Sequence, residues 1–341
     1  MRVLLIGGSG FIGQKVVERL KQRGHHVIVF HRGQTGALND IDAERIIGNR
    51  LEIDRYRDQI QELRPEAAID FLPWSDTDTA RVVKTLNGIV GRVVHLSSGD
   101  VYQAWGDFLN GRFSQPVPLT EESPLRSDLY PYAGTRPGAS NYDKVLAERS
   151  VLSAHLNEGY PGVLLRLPMV YGPGDPQHRT WPYVKRMMDG RPAILLETCH
   201  GAWLWHREYV DNVAFAIALA AEKQTAAGQV YNVGSAQVLS VAAWVEAIGQ
   251  AIGWEGEVRL LPRPHLPEHL QTPYTYQQHI LFDTAKIRRE LGYYELVNLE
   301  DGLRETVAWQ REHPAVLAEG DPPFDYAAED AALRKLAAAE A

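Results

Sequence analysis

Apolar and polar positions follow two periods along this chain, and the two take turns. Short apolar runs of strand length stand at 4–6, 26–30, 46–50, 67–72, 92–96 and 163–168. Between them lie stripes of helical period. The first runs from Phe11 to Arg23, with Val16, Val17 and Leu20 on one side and Gly24 as its stop. Others read as helices over 56–63, 80–86 and 139–156. Strand and helix in alternation predict an α/β fold, a doubly wound parallel sheet with helices on both faces. Residues 105–137, rich in Gly, Pro and Ser, read as a long loop. Beyond Gly172 the pattern loosens into helices over 183–188, 209–223, 241–252, 284–291 and 299–311. Strands are predicted there at 193–196 and 230–233, and an Ala-rich helix at 326–339. This suggests a nucleotide-type domain over 1–172, to which 205–236 returns. A smaller α+β substrate domain over 173–312 and a helical tail over 313–341 complete the chain.

The first strand runs straight into Gly7-Gly8-Ser9-Gly10-Phe11-Ile12-Gly13, and that turn opens a helix. Gly8, Gly10 and Gly13 satisfy G-x-G-x-x-G in the strand–turn–helix setting that a dinucleotide requires. A Cβ here would hold the backbone away from a pyrophosphate, which meets free N–H groups and the positive end of the helix. The fold expected is therefore of Rossmann type, with Gly7, Gly10, Phe11, Ile12 and Gly13 against the cofactor. The second strand ends at His31-Arg32-Gly33, where an acid would accept from the ribose 2′-OH. Arg32 favours a 2′-phosphate instead, so NADP is preferred over NAD; the plainer alternative is a solvated turn Arg. Asn49 is placed at the adenine, and Phe71 and Leu72 under the cofactor.

Ligands in such sheets sit at the carboxyl ends of the strands, where Ser97-Ser98-Gly99-Asp100-Val101-Tyr102 falls. Asp100 there is a candidate general acid/base, against a strand-end Asp that caps N–H groups. Tyr102 and Tyr132 could each bring a phenol to the substrate. Arg179 and Arg207 could clamp a diphosphate or carboxylate. Trp203, Trp205 and Trp244 read as core, and His95 as buried in the sheet.

Charge and composition narrow the partners. The chain has 341 residues, 45% of them apolar, and a net charge of −8 from 35 basic and 43 acidic side chains. That balance disfavours nucleic acid. Cys199 is the only cysteine, and the 12 histidines show no metal-ligand spacing. No run is long enough to span a bilayer. A first strand beginning near residue 2 leaves no room for a signal peptide, so a cytoplasmic location is expected.

Taken in order, the glycine turn, Ser97-Ser98-x-x-Val101-Tyr102, Arg166-Leu167-Pro168-x-Val170-Tyr171-Gly172-Pro173, Tyr209-Val210-Asp211-Asn212 and Asp283-Thr284-Ala285-Lys286 carry a likeness. Over residues 2–310 the chain resembles the extended and atypical short-chain dehydrogenase/reductases, the NAD(P)-dependent epimerase/dehydratase family. The resemblance implies a Rossmann domain, Pro168 beside the cofactor, and a small substrate domain that often binds a nucleotide sugar. It also implies a homodimer paired through the helix that carries Lys144. Its chemistry implies a Tyr-x-x-x-Lys pair with a Ser, and Ser98 and Lys144 match. Ser140, not Tyr, stands four residues before Lys144. Tyr142 would lie on the opposite face of a helix that starts at 139, and serves only if the helix starts later. The missing Tyr and the Phe30-His31-Arg32-Gly33 turn also resemble, more weakly, the chloroplast stem-loop RNA-binding members. Two readings follow: an oxidoreductase, epimerase or dehydratase acting on a hydroxyl or keto group, or a non-catalytic NADP-binding sensor or RNA-binding relative. Retained Ser98, Lys144 and Asp100 favour the enzyme.

Overall fold

A computed structural model describes residues 1–34, 43–134, 138–316 and 324–340. Its centre is β1 (Arg2–Ile6), flanked by β2 (His26–His31) and β4 (Ala67–Asp70). With β3 (Glu44–Ile47), β5 (Val93–Ser98), β6 (Gly162–Leu167) and β10 (Val230–Asn232) it forms a seven-stranded parallel sheet in the order β10-β6-β5-β4-β1-β2-β3. The order reverses between β1 and β4, which opens a crevice above their carboxyl ends.

Val3 through Ile6 are all buried, because helices cover both faces of the sheet. Val3 and Leu5 pack with Val16, Val17 and Leu20 of α1 (Phe11–Gln22) and with Val213 and Ile217 of α8 (Val210–Glu222). Leu4 and Ile6 pack on the other side with Val82 and Leu86 of α3 (Asp76–Leu86) and Val151 of α5 (Lys144–Glu158). A short α2 (Arg57–Glu62) precedes β4.

The second half is built from shorter pieces. β7 (Met169–Tyr171) pairs with β9 (Arg207–Tyr209), and β8 (Ala193–Glu197) with β11 (Glu257–Leu261). Around them lie α6 (Trp181–Met188), α7 (Thr198–Ala202), α9 (Val241–Ile252), α10 (Ala285–Leu291) and α11 (Leu299–Glu312). The last helix, α12 (Tyr326–Glu340), is tied down by Arg186, whose guanidinium donates twice to the buried Glu329 (2.6 and 3.0 Å). Among the described residues no helix is long and apolar enough to cross a membrane.

Three expectations change. The stretch expected as one loop over 105–137 opens with α4 (Gln103–Leu109), which buries Ala104 and Phe108 one turn apart. The third strand ends at Ile47, because Asn49 turns to cap a 3-10 segment by accepting from the Leu51 N–H. The helix expected from 139 begins at Lys144. Its start is set by Asp143, which accepts from the N–H groups of Val145 and Leu146 at 2.8 and 3.2 Å.

Candidate functional site

Two cavities open at the carboxyl ends of the strands. The first, about 430 Å³, is lined by Gly7, Ser9, Arg32, Asn49, Arg50, Leu72, Trp74 and Asn141. Its floor is the glycine turn. Gly7 and Gly8 hold φ of +90° and +89°, a region that favours glycine. A Cβ on Gly13 would stand 2.2 Å from the Gly8 Cα, so α1 can lie against the turn only with glycine there. A Cβ on Gly10 would meet nothing within 4 Å. Gly10 gives α1 no side-chain cap, and no acid stands in its first turn. The free N–H groups of a twelve-residue helix therefore meet open space, which suits a pyrophosphate.

The other expected cofactor residues fall into three places. Arg32, Asn49 and Leu72 share the cavity with Gly7. Phe71 sits behind it, its side chain against Gly7 and Gly8, while Phe11 and Ile12 form the first turn of α1. Pro168 lies in the second cavity, and Lys144 is buried and lines neither. The Lys144 ammonium donates to the Leu96 carbonyl at 2.8 Å, and burial pulls its pKa down to about 8. Arg50, which the sequence did not single out, reaches from the cavity wall to Asp70 at 3.0 Å. Asp70 is fully buried, which by itself would raise its pKa; the Arg50 charge and a hydrogen bond with His95 override this and hold it at about 2. His95 continues the chain to the Tyr160 hydroxyl at 3.1 Å, buried in the sheet as expected.

The second cavity, about 270 Å³, is lined by Ser98, Asp100, Tyr132, Tyr142, Pro168, Gln177, Arg179, Trp205 and Phe282. The Ser98 hydroxyl accepts from the Asp100 N–H at 3.2 Å, so Asp100 is held by a cap and does not itself cap the turn. A Cβ on Gly99 would meet the Phe282 ring at 2.1 Å, which fixes how tightly the turn closes. The Tyr142 and Tyr132 hydroxyls both donate to Asp100 Oδ2, at 2.8 and 3.2 Å. Asp100 Oδ1 is buried and has no hydrogen-bond partner among the described residues. Burial raises the Asp100 pKa, against the pull of Tyr142, Arg126, Lys144 and Tyr132. Burial and the Asp100 charge push the Tyr142 phenol well above the usual range.

Several expected placements are corrected. Tyr142 precedes α5 because the Asp143 cap delays the helix, so its ring enters the cavity. Ser140 is exposed on a turn outside both cavities. Tyr102 lines neither cavity: it is fully buried, donates to Asn232 at 2.6 Å and accepts from Arg166 at 3.0 Å. The expected Arg179–Arg207 clamp does not form. Arg179 lies at the second cavity and is held by Asp175 at 2.6 Å. Arg207 is buried at a third cavity of about 240 Å³, its guanidinium 4.4 Å from the centre of the Trp244 ring. Burial lowers its pKa to about 10. Trp203 and Trp244 are core, while Trp205 is half-buried and lines the site. Among the described residues no group of three His, Cys, Asp or Glu side chains could hold a metal ion.

The comparisons fit this geometry. Residues 3–234 match the model of the NAD dependent epimerase/dehydratase family. The chain belongs to that family. The 2-alkyl-3-oxoalkanoate reductase of Stenotrophomonas maltophilia is 27% identical over 357 aligned residues, covering 90% of this chain and 99% of the relative. A dTDP-glucose 4,6-dehydratase of Streptomyces griseus is 27% identical, covering 91% of this chain and 94% of its own. The fold matches the crystal structure of dTDP-glucose 4,6-dehydratase from Bacillus anthracis in complex with NAD. That match has a TM-score of 0.69 and 21% identity, over 92% of this chain and 97% of that one. It also matches UDP-glucose 4-epimerase from Thermotoga maritima with UDP-glucose, with a TM-score of 0.68 and 21% identity over 92% and 99%.

Proposed function

We infer that this member of the epimerase/dehydratase family is an oxidoreductase that binds a nicotinamide dinucleotide and acts on a hydroxyl or keto group of a small substrate. The observation that carries the reading is the juxtaposition of the two cavities. One has an uncapped helix terminus behind a glycine cradle; the other, next to it, holds a hydroxyl and a buried acid. Gly7, Gly10, Phe11, Ile12 and Gly13 hold the dinucleotide, with Asn49, Phe71 and Leu72 around its adenosine half. Arg32 meets a 2′-phosphate, so NADP is preferred over NAD. When bound, the dinucleotide gives or takes a hydride.

The chain's own residues do the rest. Ser98 lines the second cavity, and its hydroxyl orients the substrate oxygen by a hydrogen bond. Pro168 forms the cavity's apolar wall. Lys144 is a buried cation beside Asp70 and Asp100 that favours negative charge developing at the strand ends. The substrate carries a C–OH or C=O group. The relatives' 3-oxoalkanoates and nucleotide-linked sugars mark the range. The reading is tested by following NADPH consumption with acetoacetate, a 2-alkyl-3-oxo acid, UDP-glucose and dTDP-glucose. Ser98→Ala should lose turnover about 100-fold or more while NADPH binding is kept. Turnover unchanged in Ser98→Ala would overturn the role given to Ser98, and NADPH bound with no turnover across the panel would favour a dinucleotide sensor.

A further inference from the structure

Asp100 is the only acid lining the second cavity among the described residues. It is held in an asymmetric way. Two phenols donate to one of its oxygens, and the other is buried with no partner among the described residues. A buried carboxylate that serves only as a structural anchor normally has both oxygens satisfied. This one is arranged to exchange a proton along the line to Oδ2.

The two phenols on that line are not equivalent. The Tyr132 hydroxyl accepts from the Trp105 indole N–H at 3.1 Å, so it sits inside a network. The Tyr142 hydroxyl is closer to Asp100, at 2.8 Å, and its lone pairs accept from no donor among the described residues. The ring lies beneath the Lys144 ammonium, 5.9 Å from its centre. Asp100 itself is 8% exposed, whereas Tyr142 is half-buried and lines the cavity. Of the two side chains, Tyr142 is the more open to a substrate oxygen in the cavity.

We propose that Tyr142 is the acid/base of this site, passing a proton between the substrate oxygen and Asp100 while Tyr132 keeps the carboxyl in line. The proposal rests on the oxidoreductase reading above. In the direction of alcohol oxidation, the substrate O–H bond breaks and its proton forms a new O–H bond on the Tyr142 oxygen, while the Tyr142 O–H bond breaks and its proton passes along the existing hydrogen bond to Asp100 Oδ2. The carboxylic acid so formed then loses its proton to water. The carbinol carbon gives a hydride to the nicotinamide dinucleotide, so one alcohol gives one carbonyl, one hydride and one proton, and carbonyl reduction runs the same steps in reverse. Burial raises the pKa of the Asp100 carboxyl, which makes it a better proton acceptor, and burial with the Asp100 charge raises that of the Tyr142 phenol, which keeps its proton on the ring oxygen between turnovers.

The test compares Tyr142→Phe, Tyr132→Phe, Ser140→Ala and Tyr130→Phe in two assays. Quenching of NADPH fluorescence reads dinucleotide binding, and NADPH oxidation with the four carbonyl and sugar compounds named above reads turnover. The proposal predicts that Tyr142→Phe keeps NADPH binding and loses turnover about 100-fold or more. Tyr132→Phe loses less, and the exposed Tyr130 phenol is dispensable. Turnover retained within about threefold in Tyr142→Phe overturns the proposal, all the more if Ser140→Ala abolishes it. Failure of the wild type to bind NADPH would sink the oxidoreductase reading instead, and binding separates the two failures. If the wild type turns over none of the four compounds, the phenol decides. The absorbance difference between wild type and Tyr142→Phe, followed through alkaline pH, reports its ionisation. Asp100→Asn must lower the pH at which that signal rises; an unmoved signal overturns the relay.

Discussion

Lys144 should lower the stability of the protein it serves. Its ammonium is buried, with the Leu96 carbonyl as its hydrogen-bond acceptor, and burial moves its pKa from 10.5 to about 8. One pKa unit is worth about 1.4 kcal/mol, so holding the charge inside the fold at neutral pH costs about 3 kcal/mol. Lys144→Met keeps an unbranched chain of similar length and removes that cost. Against this, the Leu96 carbonyl loses its donor, worth about 1 kcal/mol, and Asp100 loses a positive neighbour. The net expectation is a gain of about 1–2 kcal/mol at pH 7. The sign with pH follows from linkage. Below about pH 8 both the folded and the unfolded chain hold the proton, and the cost is fully present. Between about 8 and 10.5 the folded protein releases it first, so stability rises with pH. Urea denaturation of wild type and variant at pH 7 and pH 10 checks both points. The gap between them should narrow as pH rises, and the variant should lose turnover. A variant less stable than wild type at pH 7, or a gap that widens with pH, would refute the reasoning.

Three further outcomes follow from the same geometry. Arg50→Met leaves Asp70 buried with only His95 and the Leu72 N–H, and should cost about 3 kcal/mol by chemical denaturation. Asp70, ordinarily near 3.8 and held at about 2, stabilises the wild type above pH 3.8 and loses that contribution as pH falls towards 2; an acid titration should show Arg50→Met unfolding at higher pH. Gly13→Ala forces a methyl into the Gly8 backbone, so NADPH binding should fall sharply with about 1–3 kcal/mol of lost stability, read by fluorescence quenching and thermal melting. Glu329→Ala strands Arg186 without its acid and should release α12, seen as faster cleavage near the carboxyl end in limited proteolysis.

The first half of the fold was legible because its strands are buried on both faces and read as unbroken apolar runs. The glycine turn was legible because three positions are constrained at once. The second half hid its architecture: β7 and β9 are three residues each, too short to show a period. Periodicity alone starts the helix at 139 and turns Tyr142 away from the site, whereas the chain starts it at Lys144 with the Asp143 cap. Asp143, an Asp just before the first buried turn, was the signal available. Tyr102 looked like a site phenol because it follows Asp100 by two residues, but its hydroxyl finds Asn232 and Arg166 inside the sheet. The Arg50–Asp70 pair joins the start of the 3-10 segment after β3 to the end of β4, twenty residues on, and no local pattern announces it.

We propose that the glycine cradle and Arg32 together hold a dinucleotide that carries a 2′-phosphate. A calorimetric titration of the wild type with NADPH and with NADH, repeated on Arg32→Ala, tests this. NADPH should bind tightly and NADH more weakly, with a preference that falls about tenfold or more in the variant while NADH binding is kept. Binding of neither nucleotide by the wild type would contradict it.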